Sequence, residues 1–95
     1  MIYKLKFLPA AKKECDKLAE PLRTQFKKKL AERLENPHIP SAKLKGYNSV
    51  YKIKLRTAGY RLAYEVIDNE IVIYVLAVGK RDKNDIYKKL ASRTV

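Results

Sequence analysis

The chain reads as an α+β domain: an antiparallel β-sheet of about four strands, two N-terminal helices on one face, and a short C-terminal helix. The segment from Val50 to Arg61 alternates strictly, with Tyr51, Ile53 and Leu55 on one side of a strand and Lys52, Lys54 and Arg56 on the other. From Ser49 onward apolar-rich runs are divided at Thr57-Ala58-Gly59 and Asp68-Asn69, which gives strand, turn, strand, turn, strand. Ahead of them Leu22, Phe26, Leu30 and Leu34 recur every four residues, the stripe of an amphipathic helix.

In chain order, Ile2 to Phe7 alternate as a first strand, with Tyr3, Leu5 and Phe7 on its apolar side. Pro9 suits the first turn of a helix that carries Ala11, Cys15 and Leu18 at helical spacing to about Leu18. Pro21 opens the second helix and Asn36-Pro37 closes it, because a residue before proline disfavours helix. Lys27, Lys28 and Lys29 form a run on that helix placed to touch phosphate, although such a run reads first as a solvated face. Residues 38–48 follow Pro37 and hold Pro40 and Gly46, too broken for a long element, with Lys43-Leu44-Lys45-Gly46 as a short extended piece.

A first loop of Arg56 to Gly59 sets Leu55 opposite Tyr60, Lys54 opposite Arg61, Ile53 opposite Leu62 and Tyr51 opposite Tyr64. A two-residue loop at Asp68-Asn69 puts Ile71, Ile73 and Val75 on the same apolar side. Ile71 to Val78 is apolar almost throughout, as in a strand covered on both faces. Gly79 ends it, Lys80-Arg81 follow, and Asp82 is the expected N-cap of a final helix to about Ser92, with Ile86 and Leu90 one turn apart.

Ninety-five residues fit one domain, 1–95. At 46% hydrophobic and 34% charged the chain is globular, with an ionic surface. Twenty-two Lys and Arg against ten Asp and Glu give a net charge of +12, which calls for an anionic partner, nucleic acid foremost. Six of those cations lie between Glu35 and Glu65 with no carboxylate among them. A single cysteine, Cys15, forbids an internal disulfide and reads as a small core residue. His38 is the only histidine, so neither a metal site nor any cofactor is expected. With no signal-peptide pattern and no apolar run of membrane-spanning length, the expected compartment is the cytoplasm.

Lys52, Lys54, Arg61 and Arg81 converge around the sheet face opposite the helices, a concavity suited to a phosphodiester backbone. RNA carries its own nucleophile, the 2′-hydroxyl, so cleavage needs a proton acceptor, charge neutralisation and help for the leaving 5′-oxygen. Lysine, with an ordinary pKa near ~10.4, is a poor base unless neighbouring cations favour its neutral form, and Lys54, between Lys52 and Arg61, is the most crowded. Arginine holds its proton, so Arg61 and Arg81 suit electrostatic roles. Tyr87, on the final helix, could stack on a base or pack on the sheet.

Over its whole length the chain resembles the RelE family of bacterial toxin–antitoxin modules. The resemblance is carried by Tyr51-Lys-Ile-Lys-Leu-Arg, Gly59-Tyr-Arg-Leu, Val66-Ile-Asp and Val78-Gly-Lys-Arg. It implies the RelE/ParE-like microbial RNase fold and a metal-independent endoribonuclease that cuts mRNA in the A site of the 70S ribosome. By position it implies Lys52 and Lys54 as active-site lysines with Lys54 the general base, and Arg61 as the group that stabilises the transition state. Arg81 falls where the family's general acid stands, with hydrogen bonding to the leaving oxygen an equal reading, and Tyr87 where the mRNA is stacked and oriented. Lys43, Lys45, Arg56, Lys80 and Lys83 are then the RNA- and ribosome-binding cations; at Lys45 close relatives have arginine, which removes any bidentate phosphate contact. The family further implies a RelB-like antitoxin that displaces or distorts the C-terminal helix, with operator DNA bound only through the antitoxin. Two rivals use the same basic face: a ParE-type toxin acting on DNA gyrase, and a non-catalytic nucleic-acid or ribosome-binding module.

Overall fold

Proline sets the entry to both N-terminal helices, occupying the first turn where its missing N–H costs no intrahelical bond. The computed structural model describes residues 2–55, 59–80 and 85–93. Its elements are β1 (Lys4–Phe7), α1 (Pro9–Asp16), α2 (Glu20–Glu35), a 3-10 turn (Pro40–Ala42), β2 (Val50–Leu55), β3 (Tyr60–Ile67), β4 (Val72–Lys80) and α3 (Asp85–Arg93). Among the described residues no helix is long and apolar enough to cross a membrane.

The four strands lie in the order β1-β4-β3-β2. β2, β3 and β4 are antiparallel neighbours, whereas β1 runs parallel to β4, so the sheet is mixed. Alternation in Ile2–Phe7 assigns faces but not a neighbour or a direction. α1 lies against β4, which brings the strand before it to β4's free edge.

The β2–β3 register is the expected one: Lys54 pairs with Arg61, Ile53 with Leu62, and Tyr51 with Tyr64. Gly59 takes a positive φ of 69° at this reversal, a conformation that costs glycine little. The second turn differs from expectation. Ile67 pairs with Val72, so the loop has four residues, 68–71, and Ile71 sits in it at φ 56°. The slip relative to a two-residue loop is even, so Ile73 and Val75 keep the expected face. A bulge between Ala63 and Tyr64 then redistributes β4, leaving Val75 and Val78 under α1 and α2 and Leu76 and Ala77 on the far side.

Two apolar clusters result. Ala11, Cys15, Phe26 and Leu30 of the helices pack on Ile53, Leu55, Leu62, Tyr64 and Ile73. Cys15 is a buried free thiol, and burial pushes it above the ordinary thiol range. On the opposite face Ile86 and Leu90 of α3 join Leu44, Val50, Ala63, Leu76 and Ala77. Alanine at 63 and 77 lets the helix approach closely. The face opposite α1 and α2, expected to be partly open, is covered over β4 by α3, and its exposed part is the cationic strip along β2 and β3.

Candidate active site

β2 fixes the first two cations. Lys52 is half-buried and Lys54 exposed, both pointing away from the Ile53 and Leu55 side chains that anchor the strand. Arg61 on β3 is the direct partner of Lys54 and pairs on its other side with Gly79 of β4. Its Nε is buried and, among the described residues, has no hydrogen-bond partner. A buried N–H left unpaired costs free energy, so a donor held this way is set for an incoming acceptor.

Lys80 is exposed at the end of β4, opposite Tyr60. Tyr87 is half-buried on α3 and packs on the Ile86–Leu90 cluster, with part of its ring left facing solvent. Lys43 is exposed where it bridges Tyr51 at the outer edge of β2, and Lys45 is exposed two residues on. Arg81, Arg56, Lys83 and the Asp82 cap lie outside the described residues.

α3 is tied down by charge as well as by Ile86 and Leu90. Glu14 on α1, 19% exposed, accepts Arg93 through both oxygens at 2.7 and 3.1 Å, Lys89 at 2.6 Å and the Val78 N–H at 3.2 Å. Lys89 and Arg93 also donate to the Val78 and Leu76 carbonyls at 2.9 and 3.0 Å. Burial alone would raise Glu14, but the bonds from Arg93, Lys89 and Val78 outweigh it and hold the carboxyl below its ordinary range.

A second network braces β2 from beneath. Arg33 of α2 donates to Tyr64 Oη at 2.9 Å and to the Lys52 carbonyl at 3.5 Å, and Tyr64 donates to the Pro37 carbonyl at 2.8 Å. The Tyr64 ring stacks on Tyr51, whose hydroxyl meets His38 Nδ1 at 3.1 Å. His38 Nε2 lies 2.8 Å from Asp68 Oδ1; a carboxylate only accepts, so Nε2 bears the hydrogen. Hydrogen bonds from Tyr3 and His38 hold Asp68 below the ordinary carboxylate range. The lone histidine is thus a structural link under the sheet, away from the Lys54–Arg61 strip.

Sequence reasoning missed Glu14 and Arg33. Glu14 carried no signal, since its partners are more than sixty residues away. Arg33 did: Gln25, Lys29 and Arg33 repeat every four residues, beside the apolar stripe.

A family model described as the ParE toxin of the type II toxin–antitoxin system parDE matches residues 5–85. A RelE-like toxin protein of Escherichia coli is 50% identical over 93 residues, 98% of each chain. The chain belongs to the RelE family of type II toxins. The mRNA interferase toxin RelE of E. coli K12 is 48% identical to this toxin over 98% of both chains. A mutant E. coli RelE toxin solved in the free state superposes with a TM-score of 0.93 at 46% identity over both whole chains. The toxin of the intact E. coli RelBE toxin–antitoxin complex is 51% identical, with a TM-score of 0.82, over 85% of this chain and 99% of that one.

Proposed function

We propose that this toxin is an mRNA interferase, an endoribonuclease that cuts message in the ribosomal A site and so arrests translation. The observation that carries the reading is the 48% identity, over nearly the whole of both chains, to a relative named mRNA interferase toxin. The cross-strand pair Lys54–Arg61, with an Arg61 Nε–H that has no partner among the described residues, supports it.

In the proposed reaction the neutral Lys54 amine takes the 2′-hydroxyl proton, and the 2′-oxygen attacks the adjacent phosphorus. The phosphorus–O5′ bond breaks, leaving a 2′,3′-cyclic phosphate and a 5′-hydroxyl. Lys52 and Arg61 neutralise the charge growing on the phosphoryl oxygens, with Arg61 Nε aimed at one of them. Arg81 protonates or hydrogen-bonds the leaving O5′, and Tyr87 stacks on the base beside the cut. Lys43, Lys45, Arg56, Lys80 and Lys83 grip message and ribosomal RNA. No cofactor enters this chemistry. A RelB-like antitoxin is the partner: relatives are solved with theirs, and displacing α3 would take Tyr87 out of register. Operator DNA is then reached through the antitoxin.

The test is a message carrying 2′-deoxyribose at the A-site nucleotides on purified ribosomes. Cleavage should stop on that message while the all-ribose one is cut to a 2′,3′-cyclic end. Cleavage of the deoxy message would refute 2′-hydroxyl attack. An intact ribose message together with lost gyrase supercoiling would favour the rival reading of a ParE-type toxin acting on DNA gyrase.

A further inference from the structure

The polar stripe of α2 faces a groove. Gln25, Lys29 and Arg33 form one wall of a depression of about 620 Å³ whose other wall is the edge strand β2 at Lys52 and Lys54, with Ser41 also lining it. Four cations and two neutral hydrogen-bonding side chains meet there, with no carboxylate among the lining residues. The arrangement is partly rigid, since Tyr64 and the Lys52 carbonyl hold Arg33 in place. A group already fixed loses little freedom on binding. The groove also adjoins the proposed active site, since Lys52 and Lys54 belong to both.

We infer that this groove is a second phosphodiester subsite, in which RNA backbone crossing the β2 edge is held by Lys29 and Arg33. The inference rests on the endoribonuclease reading and extends its RNA path beyond the Lys54–Arg61 strip. An acidic peptide suits the groove less well. Ile53 and Leu55, its apolar lining, are 1% and 3% exposed, so they offer no anchor for an apolar side chain. Phosphate needs no anchor, only clustered cations and hydrogen-bond donors. The RNA is either the message flanking the cut or the ribosomal RNA against which the toxin docks.

Lys29 is exposed and makes no packing contact with the core, so Lys29→Glu tests the groove without endangering the fold. Lys27→Glu is the matched control: it makes the same charge change on α2, but Lys27 lies near Cys15, toward α1. On ribosomes programmed with a cleavable message, Lys29→Glu should raise the half-saturating concentration about tenfold, and lower the slope of log affinity against log salt by about 0.7. The single-turnover rate at saturation should move by less than about twofold, the mark of lost binding rather than lost chemistry. Lys27→Glu should leave all three near wild type. Binding to a short 2′-O-methyl RNA without ribosomes separates the sources: weakening there assigns the groove to the message strand, and weakening only on ribosomes assigns it to ribosomal RNA. Equal effects of the two variants, or wild-type affinity and salt slope in Lys29→Glu, would overturn the subsite and leave the endoribonuclease reading intact. Failure of wild type to cut or bind would instead remove the reading beneath it.

Discussion

Lys54→Ala should reduce the single-turnover rate of A-site cleavage by about 10²–10⁴, the range of a lost general base, while affinity for programmed ribosomes falls by only a few-fold. The expectation follows from position. Lys54 is exposed on β2 directly opposite Arg61, so its amine stands beside the position of a phosphate held by Arg61. A lysine amine accepts a proton only in its neutral form. The rate should therefore rise with pH until the amine is mostly neutral, and in Lys54→Ala that rise should vanish. Equal losses in rate and affinity, with the pH dependence kept, would make Lys54 a binding residue only.

Glu14→Gln should release α3. Without the carboxylate, Lys89 and Arg93, 25% and 19% exposed, lose the anion that Glu14 sets between them, while their bonds to the Val78 and Leu76 carbonyls remain. Removing one member of a buried charged cluster costs about 3–5 kcal/mol when burial is complete; partial exposure here reduces that to about 2 kcal/mol. Hydrogen exchange of the α3 amides should quicken about 30-fold, that energy expressed as an equilibrium constant, while β3 and β4 amides stay protected. Because Tyr87 rides on α3, cleavage should slow as well. Asp68→Asn, which removes an exposed carboxylate elsewhere, should leave α3 exchange unchanged. Acid should mimic Glu14→Gln. The carboxyl is held below the ordinary value of 4.5, so its stabilisation is complete above that value and is lost as pH falls through the depressed one. Unchanged α3 protection in Glu14→Gln would show that Ile86 and Leu90 suffice.

The strands, their faces and the Lys54–Arg61 pairing were legible because each rests on a local rule: two-residue alternation, a glycine able to turn the chain, and the loop length between them. The four-residue second turn was not, because Asp68-Asn69 resembles a two-residue loop and nothing local reveals that Ile71 adopts a positive φ. Nor was the parallel seat of β1, which depends on where α1 packs. The cationic side of the site was visible in the charge pattern from Lys43 to Arg61. Its supports, Glu14 beneath α3 and Arg33 beneath Lys52, depend on contacts distant in sequence, which the charge pattern does not encode. Lys29 and Arg33 were within reach, since the four-residue period that identifies the core stripe of α2 also identifies the polar stripe beside it.

The most direct measurement maps 5′ ends on message held in purified ribosomes with a defined A-site codon, after adding the toxin. The proposed function predicts new ends within that codon, dependent on Lys54 and Arg61 and absent when an antitoxin of the RelB type is added first. Intact message at full ribosome occupancy, or cuts unrelated to the A site, would contradict it.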